Sequence, residues 1–166
     1  MSLACFAVVL IAVRPKARIQ RVQCAHQLRS IGQCLQLYAN DNNGLLPPDL
    51  AVLIPTLDLS PEVLICPSSS DTPAKGLTTQ TTGQNTVTLI GHCSYVYLGA
   101  GLNVKSLTPD HVLAYEILKN HENDGMNVLY GDGHVQWLPK PEALHLLAEL
   151  KVGHNPPRPQ APTSQP

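Results

Sequence analysis

The residues equipped for chemistry gather late in the chain: Glu116, His121, Glu122, Asp124, Asp132 and His134. Three descriptions fit two imidazoles and several carboxylates spaced this closely. Asp124, with the carbonyls of its loop, offers oxygens of the kind calcium takes. His121 and His134 with Asp124 or Asp132 match a zinc donor set. In the third description Asp132 is a turn residue and both histidines hydrogen-bond loop backbone. Calcium is the expected ion ahead of zinc, although no EF-hand spacing is present. The same groups would also suit a metal-dependent hydrolase. However, the chain has no P-loop, no GxGxxG after a strand, no GxSxG and no HExxH, and neither Ser94 nor Cys93 has a base at motif spacing. A non-enzymatic protein is the expectation.

Of the five cysteines, Cys66 and Cys93 bracket a long Ser/Thr/Gly/Gln-rich loop, and each adjoins an ordered segment. A disulfide between them closes about 28 residues and contributes roughly 3 to 4 kcal/mol in the chain-entropy model. Two buried free thiols are the alternative, and no CxxC pair favours zinc there. Cys24 and Cys34 stand ten residues apart on one helix, about 15 Å, too far to pair. Cys24 reads as a small core residue.

These groups need a scaffold. Met126–Tyr130 and His134–Leu138 are short strand-like runs joined by Gly131-Asp132-Gly133, which predicts a β-hairpin. Two further strands are expected over His92–Leu98 and Val112–Leu118, giving an antiparallel sheet of about four strands. A helix is predicted from about Pro15 to Asn40. Along it Cys24, Leu28, Ile31, Leu35 and Tyr38 recur at steps of four and three, a narrow apolar stripe that should cover the sheet. Asn40 to Gly44 supplies residues that accept left-handed geometry, so the helix ends there. Pro139 to Lys151 predicts a short second helix. The fold class is therefore α+β: a long N-terminal helix on a small antiparallel sheet, with a short C-terminal helix.

The chain divides into 1–13, an apolar anchor segment; 14–44, the amphipathic helix; 45–138, a loop-rich β domain ending in the hairpin; 139–152, the short helix; and 153–166, a Pro-rich tail expected to be disordered. Ser68 to Val87 reads as a long mobile loop. Leu3 to Val13 is apolar throughout but shorter than the ~20 residues of a bilayer span. Arg14, Lys16, Arg18 and Arg21 follow it; taken alone they place this flank in the cytoplasm. Net charge is −1, and the one basic cluster lacks interleaved aromatics, which argues against a nucleic-acid partner.

Val22 to Asp41, Leu46-Pro47-Pro48, Cys66-Pro67-Ser68, Cys93 to Tyr97, and Asn120-His121 followed by Asn127 to Val135 together resemble bacterial type IV pilin-like proteins, the pseudopilins of type II secretion. The likeness is greatest to the large planctomycete-type group and covers about residues 20–138. Its C-terminal motif is a His, nine residues, then Asp-Gly; here Asn120, His121, Asp132 and Gly133 stand in its place, with ten residues between His121 and Asp132. The resemblance implies a subunit anchored in the inner membrane, with lipid contact through residues 3–13, its globular part outside the cytoplasm, and partners among other pilin-like subunits or secretion components. Some members bind calcium in a C-terminal loop. The family's leader, a Gly before a Phe-Thr-Leu-like start with Glu at the fifth mature position, is absent, so the apolar start reads as shortened or unprocessed. The alternative function is a soluble exported domain that binds a metal or ligand through His121, Asp124, Asp132 and His134.

Overall fold

The structure is a computed structural model that describes residues 3–73 and 92–159, with side chains from Lys16 onward. The expected long loop after Ser68 falls mainly on 74–91, outside the described residues, as do 160–166 of the tail.

Helix α1 runs Leu3–Asp41. It begins well before Pro15, so the proline lies inside it, and its backbone nitrogen has no proton to donate to the preceding turn. The stripe faces inward as expected: Cys24, Leu28, Ile31 and Leu35 are buried. Ala39 completes it, while Tyr38 is only half-buried and packs at its edge. The helix stops where Asn43 and Gly44 take positive φ and the Gly44 N–H donates to the Ala39 carbonyl at 2.7 Å.

Four strands follow: β1 Tyr95–Tyr97, β2 Val112–Glu116, β3 Gly125–Tyr130 and β4 Val135–Pro139. They form one antiparallel meander in the order β1-β2-β3-β4. Every residue of β3 is buried, because the sheet is covered on both faces. Leu129 packs with the α1 stripe, whereas Met126, Val128 and Tyr130 pack with Ala143 and Leu146 of the C-terminal helix. That alternation is the two-residue period of a strand between two apolar layers. A short helix α2, Leu53–Leu57, and a 3-10 turn, Pro61–Leu64, fill the end of the α1 layer. The last helix, α3, is Lys140–Lys151.

The tail departs from expectation near its start. From Gly153 to Pro159 the chain is held rather than loose. Asn155 donates from Nδ2 to the Val112 carbonyl at 2.9 Å and accepts from the Val112 N–H at 2.8 Å. Strand β1 is too short to reach Val112, and the Asn155 amide supplies the missing pair. His154 and Arg158 both bond Glu149, which fixes the segment against α3.

The disulfide also departs from expectation. Cys66 is bonded to Cys24, with Cα atoms 5.4 Å apart, and Cys93 is free. Cys93 instead turns its thiol to the Tyr95 carbonyl, 3.3 Å away. Bracketing a loop said nothing of direction; Cys66 leaves its 3-10 turn facing α1, where Cys24 opens the buried stripe.

Candidate functional site

Where the hairpin begins, one carboxylate and one imidazole are carried into the core. Glu116 ends β2 and is 0% exposed; His121, on the 3-10 turn Leu118–His121, is 8% exposed. His121 Nε2 lies 3.1 Å from Glu116 Oε2 and 3.7 Å from Cys66 Sγ. The disulfide sulfurs of Cys24 and Cys66, a Glu116 oxygen and a His121 nitrogen all lie within 4.8 Å of one another.

The placement is over-determined. Glu116 Oε2 accepts from the Asn127 N–H at 2.8 Å, and both carboxylate oxygens accept from Asn127 Nδ2 at 3.1 Å. The same Nδ2 reaches the Arg21 carbonyl of α1 at 3.0 Å, so Asn127 ties the helix to the sheet. After His121 the chain reverses through Glu122 and Asn123, both at positive φ. Gly125 then enters β3 where a Cβ would stand 2.3 Å from the Leu138 carbonyl and 2.6 Å from the Trp137 ring, so no larger residue fits. Trp137 closes the cluster. Its ring meets His121 edge-on, with centroids 5.4 Å apart, and Arg21 lies over it with its guanidinium carbon 4.5 Å from the centroid. Outside, a cleft of about 720 Å³ opens beside His121, lined among others by Lys16, Arg18, Arg21, Lys119 and Asp124.

The hairpin tip is a separate arrangement. Asp132 Oδ1 accepts from the His134 N–H at 3.0 Å and faces His134 Nδ1 at 2.5 Å. Those contacts hold the Asp132 carboxyl below the usual aspartate range. The His134 ring stacks on Tyr130, centroids 4.5 Å apart, and Gly133 takes φ +87°. Asp132 is thus a turn residue closing the hairpin.

The four residues expected to share an ion do not meet. His121 and Asp124 precede β3, whereas Asp132 and His134 follow it. Six residues of strand span about 20 Å. In the loop before β3 the His121 and Asp124 carbonyls accept from the Asp124 and Lys140 N–H groups. Glu116 and His121 are among the residues singled out from sequence; of the partners they find, Asn127 is not, while Cys24 is expected as a core residue and Cys66 as the partner of Cys93. One available signal was the phase of Cys24, which opens the same stripe as Leu28. Joined as a disulfide, the two sulfurs present no thiolate, and the cluster fastens α1, β2 and β3 together. Searches against family models, curated proteins and solved structures found no match to this chain.

Proposed function

We propose that the chain is a pilin-like subunit, similar to the pseudopilins of type II secretion, which works by assembly and surface contact rather than by catalysis. In this reading residues 3–13 associate with the inner membrane and the globular part stands outside the cytoplasm. The observation that carries it is the mismatch between helix and sheet. Thirty-nine residues of α1 make a rod of about 58 Å, whereas the longest strand, six residues, covers about 20 Å. Among the described side chains, which begin at Lys16, the buried positions of α1 run from Cys24 to Ala39, and the turns between Lys16 and Gln23 are left for other contacts. On the face turned away from the sheet, Ile19, Val22 and Leu37 are exposed, a surface suited to neighbouring helices. A disulfide fastening the rod to the segment after the 3-10 turn suits an oxidising compartment.

Among the described residues no helix is long and apolar enough to cross a membrane. The run Leu3–Val13 reaches about 16 Å, near half of the hydrocarbon core, and its association depends on lipid contact with neighbouring helices or on partial insertion. Fractionation of bacteria expressing the full chain tests the proposal. Retention in the membrane fraction after high-salt washing, with the globular part open to protease in spheroplasts, is the expected result. A chain recovered wholly in the aqueous fraction, or protected from external protease, overturns it.

A further inference from the structure

A disulfide that merely staples a helix to a neighbouring loop needs neither an imidazole nor a carboxylate beside it. Burying both costs solvation that apolar residues would not. Yet four elements deliver four donors to one point: Cys24 from α1, Cys66 after the 3-10 turn, Glu116 from the end of β2 and His121 from the loop before β3. All four are buried. We propose that this cluster is a zinc site when the two cysteines are reduced, and that the Cys24–Cys66 disulfide is the metal-free state of the same centre.

The geometry fits that ion. Tetrahedral zinc with bonds of about 2.0 to 2.3 Å sets its ligand atoms about 3.3 to 3.8 Å apart. His121 Nε2 already stands 3.7 Å from Cys66 Sγ and 3.1 Å from Glu116 Oε2. Opening the S–S bond lets the sulfurs separate toward the remaining edges. Two sulfurs and an imidazole select zinc over calcium or magnesium, which take oxygen. Outer contacts are in place as well: Asn127 holds the Glu116 carboxylate from two directions. Of the four donors, His121 is the one that also lines the neighbouring cleft. Two thiolates and a carboxylate exceed the charge of one zinc ion, and Arg21 stands on the Trp137 ring beside the site.

The exchange balances. A dithiol reductant gives two electrons and two protons to the Cys24–Cys66 bond and leaves as its own disulfide. Zinc then displaces the two thiol protons into solvent as the two Zn–S bonds form. A small-molecule disulfide reverses the sequence: its S–S bond breaks as it takes two electrons from the thiolates, it leaves as two thiols with two protons from solvent, the Cys24–Cys66 bond re-forms, and zinc is released.

The test uses the full chain with Cys5→Ser, Cys34→Ser and Cys93→Ser, so that Cys24 and Cys66 are its only cysteines. The chain is reduced with a dithiol, desalted under nitrogen and titrated with Co²⁺. Expected are one Co²⁺ per chain, a thiolate-to-cobalt charge-transfer band with tetrahedral d–d absorption, displacement by Zn²⁺, and none of these in the oxidised chain. His121→Ala and Glu116→Gln should each weaken Co²⁺ binding about tenfold or more. Circular dichroism is followed throughout, because the reduced apo chain can unfold; zinc must then restore the folded spectrum. The proposal is overturned if the reduced chain binds Co²⁺ no more tightly than a further Cys24→Ser, Cys66→Ser variant. It is equally overturned if neither His121→Ala nor Glu116→Gln changes the binding, or if an unfolded reduced chain stays unfolded in excess zinc.

Discussion

Replacing Cys24 and Cys66 together by alanine removes the one disulfide among the described residues, which ties α1 to the segment after the 3-10 turn. The bond joins positions 42 apart in sequence. In the chain-entropy model, freeing a loop of that length costs roughly 4 kcal/mol of stability through the unfolded state. Small domains have only about 5 to 15 kcal/mol in total, so the double variant should lose a large share. At about 2 to 4 °C per kcal/mol for a chain of this size, Tm should fall by about 8 to 16 °C. Urea unfolding measured in parallel should show a lower midpoint. A Cys34→Ala, Cys93→Ala control keeps the bond; both side chains are half-buried, and the change should stay within about 1 kcal/mol. Peptide mapping without reduction supplies the covalent check. The reasoning fails if the double variant loses less than about 1 kcal/mol, or if mapping joins Cys66 to Cys93.

Three further outcomes are expected. Burial raises the Cys93 thiol to about 11 from an ordinary 9.0; at pH 8 its thiolate is about 100-fold scarcer, and alkylation of Cys93 in the folded chain should be slower by about that factor than in urea. A rate within about threefold of the unfolded one contradicts its burial. At the hairpin tip, the His134 contacts lower the Asp132 pKa, so their stabilisation is complete above the ordinary aspartate range and is lost as pH falls through the lowered value. Carbon-detected NMR should find Asp132 titrating below that range, and His134→Ala, which removes the imidazole but keeps the backbone N–H, should bring it only part of the way back. Finally, a Cβ on Gly32 would stand 2.9 Å from Leu129 Cδ1. Gly32→Val should therefore destabilise the chain by about 1 to 3 kcal/mol through overpacking between α1 and β3, and an unchanged urea midpoint would show that the helix does not approach the sheet so closely.

The α1 stripe, the four strands and α3 were legible because each is written in a period: steps of three and four at Cys24, Leu28, Ile31 and Leu35, alternation at Met126, Val128 and Tyr130. Local turn chemistry was legible too, at Asn43-Gly44 and at Asp132-Gly133. What escaped depends on how separate elements meet. Sequence distance gave no means of choosing between Cys24 and Cys93 as the partner of Cys66, since both lie beside ordered segments. Asn127 passes for an ordinary polar residue in a strand. Only when β3 is buried on both faces does it need Glu116 and the Arg21 carbonyl as partners. The tail read as loose from its prolines, yet Asn155 is held by a backbone pair that a longer β1 would have used.

The two halves of the His121 to Gly133 stretch do different work, and β3 between them explains why its length is constrained. An extra residue inside β3 would turn Asn127 away from Glu116 and move Val128 from the α3 layer to the α1 layer, because side chains alternate with a period of two. With both faces buried, neither change has anywhere to go. The loop before the strand has no such restriction. Glu122 and Asn123 are exposed and already adopt left-handed geometry, so a residue added there changes the path of the loop without moving Asn127. A change of one residue in the spacing between His121 and Asp132 is therefore absorbed between His121 and Gly125. Deleting Asn123 should leave the β3–β4 register intact and disturb only the approach of His121 to Glu116, whereas inserting one residue after Asn127 should unfold the chain. Backbone chemical shifts and amide exchange across β3 separate the two; a folded insertion variant with β3 amides still protected would show that the strand, not the loop, takes up the difference.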